Sequence, residues 1–190
     1  MNIETIAATI LFSLGGLYYC YLILDGSVHP AFATWLIFFI AVAISFSSYL
    51  LKKGLSGWWI NIQNATDVFF VTLALILIIR QSGWKIFPLN LYDKACLVLT
   101  AGIVLFWLAK RDHFRTNVAT QLLLVIGYFP TLEKIWFQAN QESYFLWGSY
   151  WLASLIALIP AVNARDWLAA LYSTRAFVMI SIVLLSMIVM

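Results

Sequence analysis

The chain has 190 residues, of which 64% are hydrophobic and 10% charged, with a mean hydropathy of +0.93 and a formal net charge of +3. A soluble domain carries roughly a quarter charged residues, so this composition excludes a water-exposed globule and places the apolar surplus against lipid. The small positive charge excludes a nucleic-acid partner.

Seven apolar runs are predicted to form transmembrane helices over residues 3–24, 31–51, 58–79, 92–108, 118–137, 144–162 and 167–190. At about 20 residues per span they leave only short loops. The runs are continuous rather than alternating, which selects helices over a barrel. Asp25-Gly26, Lys52-Lys53-Gly54, Ser82-Gly83, Lys110-Arg111-Asp112 and Asn163-Ala164-Arg165-Asp166 separate them. No cleavable signal is expected, because Met1-Asn2-Ile3-Glu4 has no basic segment and the run that follows is too long. Cys20 and Cys96 read as free small hydrophobes.

With the N-terminus on one side, that side holds Lys52, Lys53, Lys110, Arg111, Arg115, Arg165 and Arg175, against Arg80, Lys85, Lys94 and Lys134 on the other. The excess predicts a cytoplasmic N-terminus and an outside C-terminus, in a multi-pass protein of a bacterial inner membrane. Trp58, Trp59, Trp84, Trp136 and Trp167 near span ends suit the interfacial belt.

Shifted by about 111 residues, the chain partly matches itself. Ala8-Thr9, Leu11 and Gly16 meet Ala119-Thr120, Leu122 and Gly127. Trp35, Ala41 and Ile44 meet Trp147, Ala153 and Ile156, and Trp59, Thr66 and Phe69 meet Trp167, Thr174 and Phe177. The expected fold class is therefore an all-α integral membrane protein of 3+1+3 architecture in one domain. Two three-helix repeats, 3–79 and 118–190, are joined by a linker helix, 92–108. The odd linker span restores direction, so the repeats are expected to be parallel, with any substrate near their shared axis.

The stretch Gly127-Tyr128-Phe129-Pro130-Thr131-Leu132-Glu133-Lys134, with Glu142-Ser143 and Trp147 after it, resembles the first helix of a PQ-loop repeat. Pro130-Thr131 stands where that family has Pro-Gln. His29-Pro30-Ala31-Phe32-Ala33-Thr34-Trp35 is similar to segments in bacterial relatives of the same superfamily. The chain thus resembles the SWEET and PQ-loop superfamily, including nicotinamide riboside transporters of the PnuC type. The resemblance covers most of the chain in architecture and about thirty residues in motif. It implies a carrier. Tyr19 departs from the pattern, standing where the first repeat should have Pro.

Asp67 is the leading candidate for chemistry. Counted from Trp58 it lies about 13 Å along its helix, near mid-bilayer, and Asn61, Asn64 and Asp67 form one polar stripe. A charge there costs roughly 2.5–3.5 kcal/mol and faces a bundle interior or wet cavity. The repeat puts Arg175 opposite, so the two are expected to form an ion pair or to bind a polar solute jointly; a purely structural pair joining the halves is the alternative. An isolated Asp67 would suit a proton carrier, and a paired one facilitated diffusion. Trp35 and Trp147 are candidates to stack on a flat solute, with belt anchoring as the alternative. Tyr18, Tyr19, Asn64 and Tyr172 are candidates for the same cavity.

Pro130 removes a helical hydrogen bond, and with Gly127 and, in the first repeat, Gly15-Gly16 it forms a candidate hinge; a static kink is the alternative. Glu133 and Lys134 are expected to snorkel, and Glu142 and Asp93 to sit at helix N-termini. No catalytic triad, metal motif or nucleotide loop is present, and Trp167–Met190 holds no lysine for a retinal Schiff base. The expected partners are the lipid bilayer and a small-molecule solute, with homo-oligomerisation open and no cofactor or metal. The expected function is a non-enzymatic membrane transporter of a small polar or aromatic solute, alternating between two three-helix units. A non-transporting receptor or assembly factor of the same architecture is the rival.

Overall fold

The computed structural model describes residues 2–82, 89–110, 113–137 and 142–190. These form seven α-helices: α1 (Ile3–Asp25), α2 (Phe32–Lys53), α3 (Ile62–Ser82), α4 (Leu91–Lys110), α5 (His113–Phe137), α6 (Tyr144–Asn163) and α7 (Trp167–Val189). Among the described residues, all but α4 supply helices long and apolar enough to cross a membrane, six in number. The chain is a multi-pass, all-helical membrane protein. The expected breaks at Gly83 and Arg111-Asp112, with Trp84 and Lys85, fall outside the described residues.

Local chemistry sets the helix ends. Gly26, at φ 76°, closes α1 with its own N–H on Ile23 O, while Ser27 N–H reaches Leu22 O. This αL turn suits a residue without Cβ. The Ser143 side chain caps α6 by accepting from Leu146 N–H, and Asp166 caps α7 by accepting from Leu168 and Ala169 N–H. Two boundaries differ from expectation. The segment after Gly54 makes a 3₁₀ turn (Leu55–Gly57) and further turns, so α3 starts at Ile62 rather than at 58. In turn α5 begins at His113, more than a turn before 118, and Thr116 and Asn117 in its first turns are buried: Asn117 Nδ2 donates to Ser45 O at 3.1 Å.

The outer surface is apolar. Ile3, Ile6, Ile10, Leu14, Leu17, Tyr21 and Leu24 recur along one exposed face of α1, as a lipid-facing stripe requires. Inside, polar side chains are buried: Thr34, Ser45, Asn61, Gln63, Asn64, Asn117, Gln121, Thr131 and Ser154. Small residues let the helices approach. Ala153, Ala157 and Ala161 form a buried line on α6, and a methyl on Gly15 would overlap Ser149 of that helix.

The contacts define neighbours and directions. Helix α3 packs on both α1 and α2, α7 on both α5 and α6, α1 on α6, α2 on α5, and α4 on α5. The Tyr19 hydroxyl, late in α1, donates to Glu142 Oε2 just before α6, at 3.0 Å. Tyr49, late in α2, donates to Asp166 Oδ2 just before α7, at 2.9 Å. Thr34, early in α2, shares a 2.9 Å hydrogen bond with Thr131, late in α5. Asn90, just before α4, donates through Nδ2 to Glu133 Oε1, late in α5, at 3.2 Å. It follows that α1, α3, α5 and α7 run one way and α2, α4 and α6 the other.

Candidate functional site

Helices α2, α3, α5, α6 and α7 enclose a cavity between the α1–α3 and α5–α7 units. Its wall includes Trp35, Phe38, Gln63, Asp67, Tyr128, Trp147, Tyr150 and Arg175. Its volume is about 30 Å³, room for one or two waters.

Asp67 is 9% exposed, and its Oδ2 accepts from the Tyr172 hydroxyl at 2.8 Å. The expected ion pair with Arg175 does not form. The Arg175 guanidinium carbon lies 4.7 Å from the centre of the Tyr172 ring, and its Nε donates to Gln121 Oε1 at 3.3 Å. Tyr172 thus stands between the acid and the base, binding both. Among the described residues the one ion pair is Lys53–Asp166, at 3.2 Å. The later start of α3 also corrects the depth of Asp67: it lies five residues, about 8 Å, into that helix rather than 13 Å.

The two tryptophans are buried, at 4% and 3% exposure, so neither is a belt residue. Trp35 stacks on Tyr19 at 5.2 Å and Trp147 tilts toward Tyr128 at 5.9 Å. Trp147 Nε1 donates to Glu142 Oε2 at 3.2 Å. Asn64 is buried but does not line the cavity; its Nδ2 donates to Ser45 Oγ at 3.0 Å. Tyr18 is 43% exposed, edge-on to Phe145 and away from the cavity. Gly16 and Gly127 are close-approach positions: an added methyl would lie 2.5 Å from the Phe70 ring and 2.6 Å from the Phe38 ring. Pro130 lies within α5 and lines a separate pocket of about 300 Å³ with Asp93, Glu133 and Lys134.

Hydrogen bonds join helices α1–α3 to α5–α7 toward both ends of the bundle. Tyr19–Glu142–Trp147 and Thr34–Thr131 lie at one end. Asn117–Ser45–Asn64 and Tyr49–Asp166 lie at the other. Three wall residues with polar groups are not among the sequence candidates: Gln63, Tyr128 and Tyr150. Gln63 Nε2 donates to Ser154 Oγ at 2.8 Å, while its Oε1 has no hydrogen-bond partner among the described residues. A buried amide oxygen left unpaired costs about 1–3 kcal/mol, which a polar solute or water would relieve.

Glu142 sits at the start of α6, just ahead of its N-cap Ser143, as the sequence suggests, and it is buried there. Burial pushes its carboxyl up to about 7, against the opposing pull of Lys134 and of the hydrogen bonds from Tyr19 and Trp147. Among the described residues, no group of three or more His, Cys, Asp or Glu is placed to hold a metal ion. Compared with family models, characterised proteins and solved structures, the chain matches none.

Proposed function

We propose that the protein carries a small polar or aromatic solute across the membrane, by rocking of the α1–α3 unit against the α5–α7 unit. One observation carries this reading: a small cavity between α2, α3, α5, α6 and α7, walled by an acid, a base and two tryptophans, with hydrogen bonds that link α1–α3 to α5–α7 toward both ends of the bundle and would serve as seals. Breaking one seal while keeping the other is what alternating access needs. Asp67, Arg175, Trp35 and Trp147 contact the solute, Tyr172 positions the acid and base, and Asn64 braces α3 on α2. Gly16, Gly127 and Pro130 are the bending points.

The 3+1+3 reading, with parallel repeats, agrees with the matched neighbours: the third helix of each unit packs on its first two, and the first helix of each packs on the second of the other. The direction of α1 along α5 agrees as well, as does the resemblance to the SWEET and PQ-loop superfamily at residues 127–134. The lysine and arginine excess supports a cytoplasmic N-terminus.

The test is a thermal-shift screen of purified protein against amino acids, nucleosides, sugars and vitamins, followed by uptake into proteoliposomes. A compound that raises the melting temperature of wild type but not of Asp67→Asn or Trp147→Ala, and that accumulates in vesicles, is expected. Binding without accumulation favours a receptor; a screen without such a compound rejects the carrier.

A further inference from the structure

One carboxylate oxygen ties two helices together beside the cavity. Glu142 Oε2 accepts from the Tyr19 hydroxyl of α1 at 3.0 Å and from Trp147 Nε1 of α6 at 3.2 Å. Tyr19 in turn stacks on Trp35, and both tryptophans wall the cavity. Glu142 thus adds a hydrogen-bonded link between the end of α1 and the start of α6 and connects both aromatic walls. It is buried, and its position just outside α6 puts it close to the water beyond the bilayer. From α1 it faces Tyr19, from α5 the half-buried Lys134, and from its own helix Trp147.

We propose that Glu142 is a proton-operated latch on the cavity: neutral, it holds α1 to the start of α6 through Tyr19 and Trp147, and ionised, it draws in water and lets the two helices part. The direction follows from linkage. A carboxyl that is buried when the latch is shut and hydrated when it is open takes up its proton more readily shut. Acid therefore closes the latch, and rising pH opens it. The shut-state value of about 7 places the change near neutrality. A neutral carboxyl still offers its carbonyl oxygen to both donors, whereas a buried charge costs several kcal/mol unless it is fully paired. Lys134 supplies part of that pairing, so it sets the pH at which opening occurs without itself being the latch.

The latch acts on the site of the carrier proposed above and takes its purpose from that reading, yet its test needs no solute. Hydrogen exchange, corrected for the intrinsic pH dependence of amide chemistry, is followed at residues 17–25 and 144–150 of the full chain in nanodiscs. Wild type is expected to exchange there about tenfold faster or more at pH 8.5 than at pH 5.5, with the α2 start and α4 unchanged. Glu142→Gln keeps an acceptor that cannot ionise, so both peptides should exchange slowly at both pH values. Lys134→Met should move the wild-type midpoint to higher pH. Equal exchange at the two pH values in wild type, or a dependence that survives in Glu142→Gln, overturns the latch. A latch that behaves as expected alongside a solute screen with no hit rejects the carrier alone.

Discussion

At the scale of single residues, the buried carboxyl groups do different work. Asp166 is wholly committed: Oδ1 caps α7, while Oδ2 takes Tyr49 and Lys53. Asp166→Ala should lower stability by about 0.5–2 kcal/mol from the lost cap alone, read as a lower unfolding temperature in detergent. Glu142 titrates instead. Its folded-state carboxyl is raised from the ordinary 4.5 to about 7. The stability it contributes is thus present in full below pH 4.5 and is lost as pH rises through 7. Thermal unfolding from pH 4.5 to 8.5 should show wild type weakening across that window and Glu142→Gln weakening less. Neither set of partners is visible in the sequence, where Asp166 reads as part of an inter-helix break and Glu142 as a helix N-terminal residue. Partners more than a hundred positions away, Tyr19 and Tyr49, decide between cap and latch.

At the scale of elements, the helices themselves were legible. Continuous apolar runs force every backbone group into an intrahelical bond in lipid, and six of the seven expected spans match helices that meet the length and apolarity for crossing. The two ends that differ do so for different reasons. At 113–117 polar residues suggest a loop, yet the fold buries Asn117 on Ser45; at 58–60 the apolar Trp58-Trp59-Ile60 suggests helix, yet the chain turns before Ile62. The glycines carry a comparable lesson about packing. Gly127→Ala would put a methyl 2.6 Å from the Phe38 ring and 3.2 Å from Ile37; overpacking of this kind costs about 1–3 kcal/mol. Gly148 meets no atom within 4 Å, so Gly148→Ala should be neutral, or stabilising by roughly 0.5–1 kcal/mol through helix propensity. Melting curves of the two variants separate a packing constraint from a general intolerance of change in these helices.

At the scale of the whole molecule, the packing of α1–α3 against α5–α7 matters most. Thr34 and Thr131 face each other across it at 2.9 Å between oxygens. A Thr34→Cys/Thr131→Cys pair should therefore cross-link under mild oxidation and fix that end of the cavity. Solute uptake into proteoliposomes should then fall at least tenfold and return on reduction. Uptake indifferent to oxidation, with cross-linking confirmed by mass spectrometry, would remove rocking at this junction from the mechanism.

The sequence by itself determined the membrane class, the number of helices and which long-range pairs to suspect, because hydropathy and helical period act locally and lipid leaves few alternatives. It also brought Trp35, Trp147, Asp67 and Arg175 to one cavity. Only the tertiary structure decided how they meet: Tyr172 separates the acid from the base, Asn64 and Tyr18 turn elsewhere, and Gln63, Tyr128, Tyr150 and Glu142 complete the site. Side-chain direction on a buried helix depends on which neighbours flank it, and in this bundle those neighbours come from the other half of the chain.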